Sequence, residues 1–303
     1  MSIIHNTISK LMDRNIGMDK MIKLIEYTRG LYRYPSRMIG RRIKKDTKNS
    51  TDILVIAAHP DDEILGVGTT IYRHIKNGDN VTVVYVTNGS GGDGASWKTK
   101  INDTHHISEI RYREGIKALS LIGMFAQDVI CLGYPDAGTH RYVDHIAHDV
   151  LSLIQKLKPE RIYVHCIEGG HSDHDFTSFI VKAVCGKIEF NNVYEWAEYN
   201  RSQPLGTKDV KFLDNGSHCS KSINIDITDR ERLLKKKMLA CHKSQGVVAH
   251  FTMGEAIRQA NLTNMEVELL KYSLFPKKRL RPIMNQLLKY IERRRSCSID
   301  CSC

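Results

Sequence analysis

A cadence of unbroken apolar runs, each followed by a helix-length segment, constrains this chain most. The runs are ILVIAAH (53–59), VTVVYVT (81–87), DVICL (128–132), RIYVHC (161–166) and VYEWAEY (193–199). Amphipathic stretches over 62–77, 105–122, 142–157 and about 174–186 lie between them. Strand, helix, strand at this spacing means successive βαβ units. Strands that read as continuous apolar runs belong to a parallel sheet covered by helices on both faces. In such sheets ligands bind beyond the carboxyl ends of the strands. The functional loops are therefore expected at 58–63, 87–94, 133–138 and 167–174. Past residue 200 the pattern weakens. SINIDIT (222–228) alternates as a half-exposed strand, 229–243 reads as a basic helix and 264–275 as helical. No internal repeat is evident.

Two of these loops carry the chemistry. Ala58-His59-Pro60-Asp61-Asp62-Glu63 follows the first run, and His171-Ser172-Asp173-His174-Asp175 follows the fourth. Three carboxylates beside a histidine repel one another unless something positive holds them, and a divalent cation is the simplest such thing. Acidic residues in a first helical turn also suit the macrodipole, so that loop alone supports either reading. The second loop shifts the balance. His-x-x-His opening a helix can set two imidazoles on one side, and with a carboxylate they make a three-ligand site with a fourth position open to water. A zinc ribbon is unsupported because no Cys-x-x-Cys pair is present. The ionisable groups left over are what a hydrolase needs: a base for the attacking water, and a group to steady the oxyanion or protonate the leaving amine. His165, inside the fourth run, reads as a core histidine with its hydrogen bonds satisfied. Trp196 and Tyr199 read as core or pocket wall.

AHPDDEILGVGTTI and, about 110 residues later, HSDHD resemble the PIG-L/LmbE-like family of zinc-dependent N-acetylglucosamine deacetylases. RYREGIKAL, LGYPDAG and CHKSQ (241–245) add minor matches, and the resemblance spans about residues 52–245. It implies a Rossmann-like parallel sheet and removal of the acetyl group from an amino-sugar glycoconjugate or glycan precursor. It implies one Zn²⁺ held by His59, Asp62 and His174, with Asp61 as general base on the zinc-bound water. It implies His171 as oxyanion stabiliser or amine acid, with Asp173 tuning it, and Asp93, Arg111 and Asp136 against sugar hydroxyls. One departure stands out: some members carry a tyrosine two residues before the first histidine of the second motif, where this chain has Gly169. Its glycines are expected to leave room for a larger substrate. Rival readings are an amidase acting on another N-acyl group, such as a thiol conjugate, and a binding protein that has lost catalysis.

Charge divides the chain. The whole sequence carries 45 basic and 34 acidic side chains, net +11. Residues 1–50 hold 12 basic and 4 acidic groups (+8) and residues 271–303 hold 9 and 2 (+7), which leaves a body of net −4. A broad basic groove on the body, the footprint of a nucleic-acid enzyme, is therefore absent. The expected organisation is a basic N-terminal extension (1–50) that could hold one amphipathic helix, a catalytic domain (51–270) and a basic tail (271–303) with a helix around 283–292. The ends would touch anionic membrane or polymer surfaces. No run of 18 apolar residues is present, so no spanning helix is expected, and the N-terminus lacks a signal-peptide core. A cytoplasmic enzyme, peripheral to the membrane at most, is the expectation. Cys131, Cys166, Cys185, Cys219 and Cys241 read as free thiols, and Cys297, Cys301 and Cys303 as reactive thiols of a tail.

Overall fold

The computed structural model describes residues 16–28, 51–91, 101–213 and 221–299. In chain order the elements are α1 (Ile16–Thr28), β1 (Ile53–Ala57), α2 (Asp62–Lys76), β2 (Val81–Thr87), α3 (Ile101–Ser120), β3 (Val129–Tyr134), α4 (Val143–Leu157), β4 (Arg161–His165), α5 (Ser172–Lys187), β5 (Val193–Ala197), β6 (Ile223–Ile225), α6 (Asp229–Leu239), β7 (Glu255–Gln259), α7 (Met265–Tyr272) and α8 (Lys277–Ile299). One seven-stranded sheet runs β3-β2-β1-β4-β5-β7-β6. The first five of these strands are parallel, as the apolar runs require. β7 and β6 add an antiparallel edge. β7, EAIRQ, was not anticipated, because its charges hide the strand. Arg258 there faces Glu195 across the pair, with Nη2 2.6 Å from Oε1.

Alternation along the buried strands divides the core in two. Leu54 and Ile56 of β1 point to the face covered by α4, α5, α7 and α8. Ile53, Val55 and Ala57 point to the face covered by α2, α3 and α6. Each fully buried aliphatic side chain contributes about 1.5–3 kcal/mol. α2 comes so close to β5 that a Cβ on Gly66 would sit 2.2 Å from the Trp196 ring. One residue further α2 breaks, with Val67 at φ −143° and ψ 22°. The carbonyl of Leu65 then accepts from Lys235 Nζ at 2.8 Å. The amides of Thr69 and Thr70 donate to Glu255 at 2.7 and 3.1 Å. A buried Lys235–Glu255 pair thus satisfies the interrupted backbone.

Both basic ends meet the body. α1 is anchored by fully buried Glu26, whose carboxylate accepts from Arg141 Nη2 at 2.5 Å and from the Tyr142 hydroxyl at 2.8 Å. Asp19 of α1 accepts from Arg279 Nη2 of α8 at 2.5 Å, so the two end helices touch. The stretch expected as a basic tail forms α8 over Lys277–Ile299, and Leu280, Ile283, Met284, Leu287 and Ile291 lie in the core. Their helical spacing is overwritten in the sequence by the basic residues between them. Among the described residues, Cys131, Cys166 and Cys185 are buried free thiols and Cys241 is a half-buried one. Cys219, Cys301 and Cys303 lie outside the described residues. No helix of the described residues is long and apolar enough to cross a membrane.

Candidate active site

β1 and β4 are neighbours at the point where the strand order reverses, the place where open α/β sheets bind ligands. The loops that follow these two strands therefore meet. Ala58 N–H donates to His165 Nε2 at 3.0 Å and so ties the end of β1 to the end of β4. That bond occupies the Nε2 lone pair of His165 and places its ring proton on Nδ1, 3.5 Å from Glu198 Oε2. His165 is thus a satisfied core histidine, as its sequence position suggests, and it stacks on His174 with ring centroids 3.9 Å apart.

Asp61 holds the loop's unusual backbone. Its φ is 123°, strained for a residue with a Cβ, at a cost of order 1–3 kcal/mol. The strain is fixed from both sides: Asp61 N–H donates to Glu63 Oε2 at 3.1 Å, and Ile64 and Leu65 donate to its carbonyl at 3.0 Å. Glu63 is internal support. It accepts the Tyr85 hydroxyl at 2.8 Å, and burial pushes its carboxyl up to about 8. Burial likewise raises Asp61 to about 7; Arg111 opposes the rise and Asp62 adds to it.

Asp62 stands between two histidines. Its Oδ2 lies 3.1 Å from His59 Nδ1 and 3.3 Å from His174 Nε2, and the two rings are 5.3 Å apart. His174 Nε2 is buried and makes no hydrogen bond among the described residues. Donors on a tetrahedral ion at about 2.0–2.1 Å sit about 3.3 Å from one another, and these spacings match. His171 belongs to the same centre, since ligand atoms of His59, His171 and His174 all lie within 4.8 Å of one another. Charge points the same way. Asp61, Asp62, Asp136 and Asp173 are all buried. Among the described residues the permanent cation within ion-pair distance of them is Arg111, 3.3 Å from Asp61 and 3.8 Å from Asp136. Burial opposes protonation of His59, yet Asp136 and Asp62 outweigh it and hold its pKa well above the ordinary histidine value. Burial also opposes ionisation of Asp62, but His174 and His59 hold its carboxyl well below the usual range. A buried, carboxylate-rich cluster of imidazoles short of positive charge fits a divalent cation.

The remaining sequence-predicted residues surround His59. Its Nε2 lies 3.3 Å from Asp136 Oδ1 and 3.3 Å from Asp173 Oδ2. Asp173 also accepts from Ala137 N, Thr139 N and Thr139 Oγ1 at 2.6, 3.1 and 2.6 Å. Asp173 meets His171 through its backbone: its N–H donates to Nδ1 at 3.2 Å, which leaves the ring proton of neutral His171 on Nε2. Burial, then the charge of His59, keeps His171 below the ordinary histidine value. Asp136 accepts from Gly91 N–H at 3.1 Å. Arg111 ties two loops together, giving Nη1 to Gly89 O at 2.7 Å and Nη2 to Pro60 O at 3.1 Å. Asp93 lies outside the described residues. The space expected above Gly169 is filled. A Cβ there would lie 2.2 Å from the Tyr272 carbonyl oxygen, and one on Gly170 2.0 Å from that of Tyr199. These glycines serve close backbone approach.

The family model described as GlcNAc-PI de-N-acetylase, PIG-L, matches residues 54–185, which contain His59, Asp61, Asp62, Arg111, Asp136, His171, Asp173 and His174. A Bacillus cereus protein named a probable N-acetyl-alpha-D-glucosaminyl L-malate deacetylase is 33% identical over 164 residues, covering 52% of this chain and 73% of that one. The chain belongs to the PIG-L family. A Corynebacterium efficiens relative, a 1D-myo-inositol 2-acetamido-2-deoxy-alpha-D-glucopyranoside deacetylase, is 25% identical over 182 residues, 54% of this chain and 58% of that one. This chain spans about half the length of the inositol-glycoside deacetylases it matches, 49–58%. The fold is shared with a deacetylase triple mutant of the teicoplanin biosynthetic pathway, at a TM-score of 0.55 and 19% identity over 69% of this chain and 97% of that one.

Sequence reasoning passed over three supports of this PIG-L site and a buried histidine. Asp175 accepts from Glu168 N and Gly169 N at 3.1 and 3.0 Å and shapes the turn before His171. Glu168 accepts from Glu198 N, Tyr199 N and Asn200 Nδ2 and joins that turn to the end of β5. Glu198 faces His165. His242, from the CHKSQ match, is buried with neither ring nitrogen hydrogen-bonded among the described residues. Asp175 and Glu168 flank the histidine motif and were within reach; Glu198 carries no local signal.

Proposed function

We propose that this PIG-L family chain is a metal-dependent deacetylase that hydrolyses the N-acetyl group of an N-acetylglucosamine-containing glycoconjugate. The observation that carries the reading is Asp62 Oδ2 set 3.1 and 3.3 Å from imidazole nitrogens of His59 and His174, with strained Asp61 next in sequence. His59, Asp62 and His174 would hold Zn²⁺. When bound, the ion supplies Lewis acidity, polarising the acetyl carbonyl and lowering the pKa of water. Asp61, 3.3 Å from Arg111, takes the proton of the attacking water; burial raises its carboxyl above the ordinary value, which favours it as a base. His171, neutral and carrying its proton on Nε2, donates a hydrogen bond to the carbonyl oxygen as charge develops there, and Asp61 passes the proton it took from water to the departing amine. Asp136 and Asp173 accept from His59 Nε2–H, which fixes that ring with Nδ1 turned toward Asp62. Arg111 positions the loop of Asp61 against the loop of Gly89, and Asp136 would meet sugar hydroxyls, as would Asp93 on the family resemblance. The basic ends would contact an anionic membrane surface, and their described helices, α1 and α8, meet through Asp19–Arg279.

The test is acetate release from a panel of N-acetylglucosaminyl glycosides, paired with metal analysis. Asp61→Ala is expected to keep its metal and lose at least about 100-fold in kcat. His59→Ala and His174→Ala are expected to lose the metal. Full turnover by Asp61→Ala would remove the base assignment, and purification without any divalent metal would remove the whole reading.

A further inference from the structure

Arg111 and His242 are both buried, and each keeps polar atoms without a hydrogen-bond partner among the described residues: Nε of Arg111, and Nδ1 and Nε2 of His242. Buried polar atoms are nearly always paired, so each exception needs a reason. The other nitrogens of Arg111 are committed. Nη1 donates to Gly89 O at 2.7 Å, and Nη2 to Pro60 O at 3.1 Å and to Asp61 Oδ2 at 3.3 Å. Nε–H is the corner of that fork that remains. His242 sits in the turn after α6, and its backbone is pinned: its N–H donates to Leu239 O at 3.1 Å, and its carbonyl accepts from Gln245 N and Gly246 N at 3.1 and 3.3 Å. The same turn is tied to α3, where Ser244 N and Oγ donate to the two oxygens of Glu114 at 3.0 and 2.6 Å. Glu114 follows Arg111 by three residues, so both lie on one face of α3, and the turn that Glu114 holds brings His242 toward Arg111. Charge records the approach. Burial lowers His242 to about 3, and the guanidinium of Arg111 is the next cause, ahead of the opposing pull of Asp62. The ring is therefore neutral near pH 7, with one N–H to give and one lone pair to receive.

We propose that His242 is a positioning residue: one buried water accepts from Arg111 Nε–H and donates to the lone pair of the His242 ring, and so fixes the guanidinium that holds Asp61. The assignment rests on the reading of Asp61 as the base of a deacetylase. Water fits because it accepts and donates at once, and polar buried spaces hold it. His242 is 1% exposed, which places it behind the reacting atoms. A guanidinium free to tilt about Nε would shift the Asp61 carboxylate, and a small misplacement of a catalytic group costs rate.

The experiment has a kinetic arm and an exchange arm, both on the metal-loaded full chain. In the first, His242→Leu is expected to lose about tenfold in kcat on an N-acetylglucosaminyl glycoside, with KM and metal content unchanged. His242→Gln, whose amide still gives and receives hydrogen bonds, should recover most of that loss. Added to Arg111→Lys, which has no guanidinium to position, His242→Leu should cost nothing further, because residues that act through one another are not additive. In the second arm, heteronuclear NMR of the arginine side chains follows the Arg111 Nε–H, assigned by its disappearance in Arg111→Lys. It should be protected from solvent exchange in the wild type and exchange at least about tenfold faster in His242→Leu. A wild-type Nε–H that exchanges as fast as those of exposed arginines would overturn the proposal, and that result needs no variant at His242 to fold. Wild-type kcat in His242→Leu, or a kinetic loss that persists in full on top of Arg111→Lys, would overturn it as well. A protected Nε–H in a wild type that releases acetate from no N-acetylglucosaminyl substrate keeps the Arg111–His242 bridge and sinks the deacetylase.

Discussion

Asp173→Asn isolates the carboxylate on which two loops and His59 converge. Four donors reach it: Ala137 N and His59 Nε2 on Oδ2, Thr139 N and Thr139 Oγ1 on Oδ1. An amide offers one oxygen and one NH₂. Either flip turns the NH₂ against a backbone N–H, that of Thr139 or that of Ala137, so at least one buried bond is lost and donors face each other. At about 1–3 kcal/mol for each buried group left unmade, the variant should be less stable by at least about 1–3 kcal/mol. The pH dependence follows from the direction of the shift. Burial works against the Asp173 charge, but the His59 bond, the neighbouring imidazoles and the Thr139 hydroxyl hold its carboxyl well below the usual range. A depressed carboxylate stabilises the native state above its unfolded value of about 3.9, and that contribution is lost as pH falls toward the native value. The gap between wild type and variant should be full at pH 7 and shrink below about pH 4. Urea unfolding of metal-free protein measures it. A competition titration with a chelator should show metal affinity lowered about 10- to 100-fold, because His59 is no longer held. Stability within about 0.5 kcal/mol of wild type, together with unchanged metal affinity, would refute the argument. A gap that persists undiminished at low pH would trace the loss to shape rather than charge.

Other perturbations test other links. Burial lowers His140 to about 4, against the pull of Asp19. The unfolded chain gains its proton near pH 6.5 and the native chain does not, so stability should fall by up to about 3 kcal/mol between pH 6.5 and 4. His140→Gln should flatten that acid limb in thermal melts, and parallel limbs would clear His140 of the effect. Gly66→Ala drives a methyl to 2.2 Å from the Trp196 ring. It should cost about 3 kcal/mol by overpacking, read as a lowered Tm with shifted tryptophan fluorescence; a Tm within about 1 °C of wild type would refute the close packing. Membrane contact is best tested by neutralisation, because truncating α8 would remove core residues. Arg281→Gln/Arg293→Gln should weaken sedimentation with phosphatidylserine vesicles, at about 1 kcal/mol per charge, and binding equal to wild type would show that these charges only solubilise.

The legible part of this molecule is the part where one residue type serves one purpose. Apolar runs at 53–57, 81–87 and 161–165 read as buried parallel strands, which puts the His59 and His171 loops at the same end of the sheet. What stayed hidden is where charge is spent on folding. Glu26, Glu195, Glu255 and Lys235 read as surface residues, yet each is at most 2% exposed and joins distant elements: α1 to Arg141, β5 to Lys182 of α5 and Arg258 of β7, and α6 to the break in α2. Their partners lie 13 to 186 residues away, beyond any local pattern. Asp173 is the instructive case inside the site. Its place in HxDH marks it as chemical and suggests His171 as its partner, but its side chain is spent on the 137–139 turn and on His59. The motif therefore encodes two things in one tetrapeptide: imidazoles for the cation, and a carboxylate that clamps the opposite loop and orients an imidazole supplied from β1. The two motifs are thus mechanically coupled before any metal is considered, and loss of the clamp should weaken metal binding even though every ligand atom is still present.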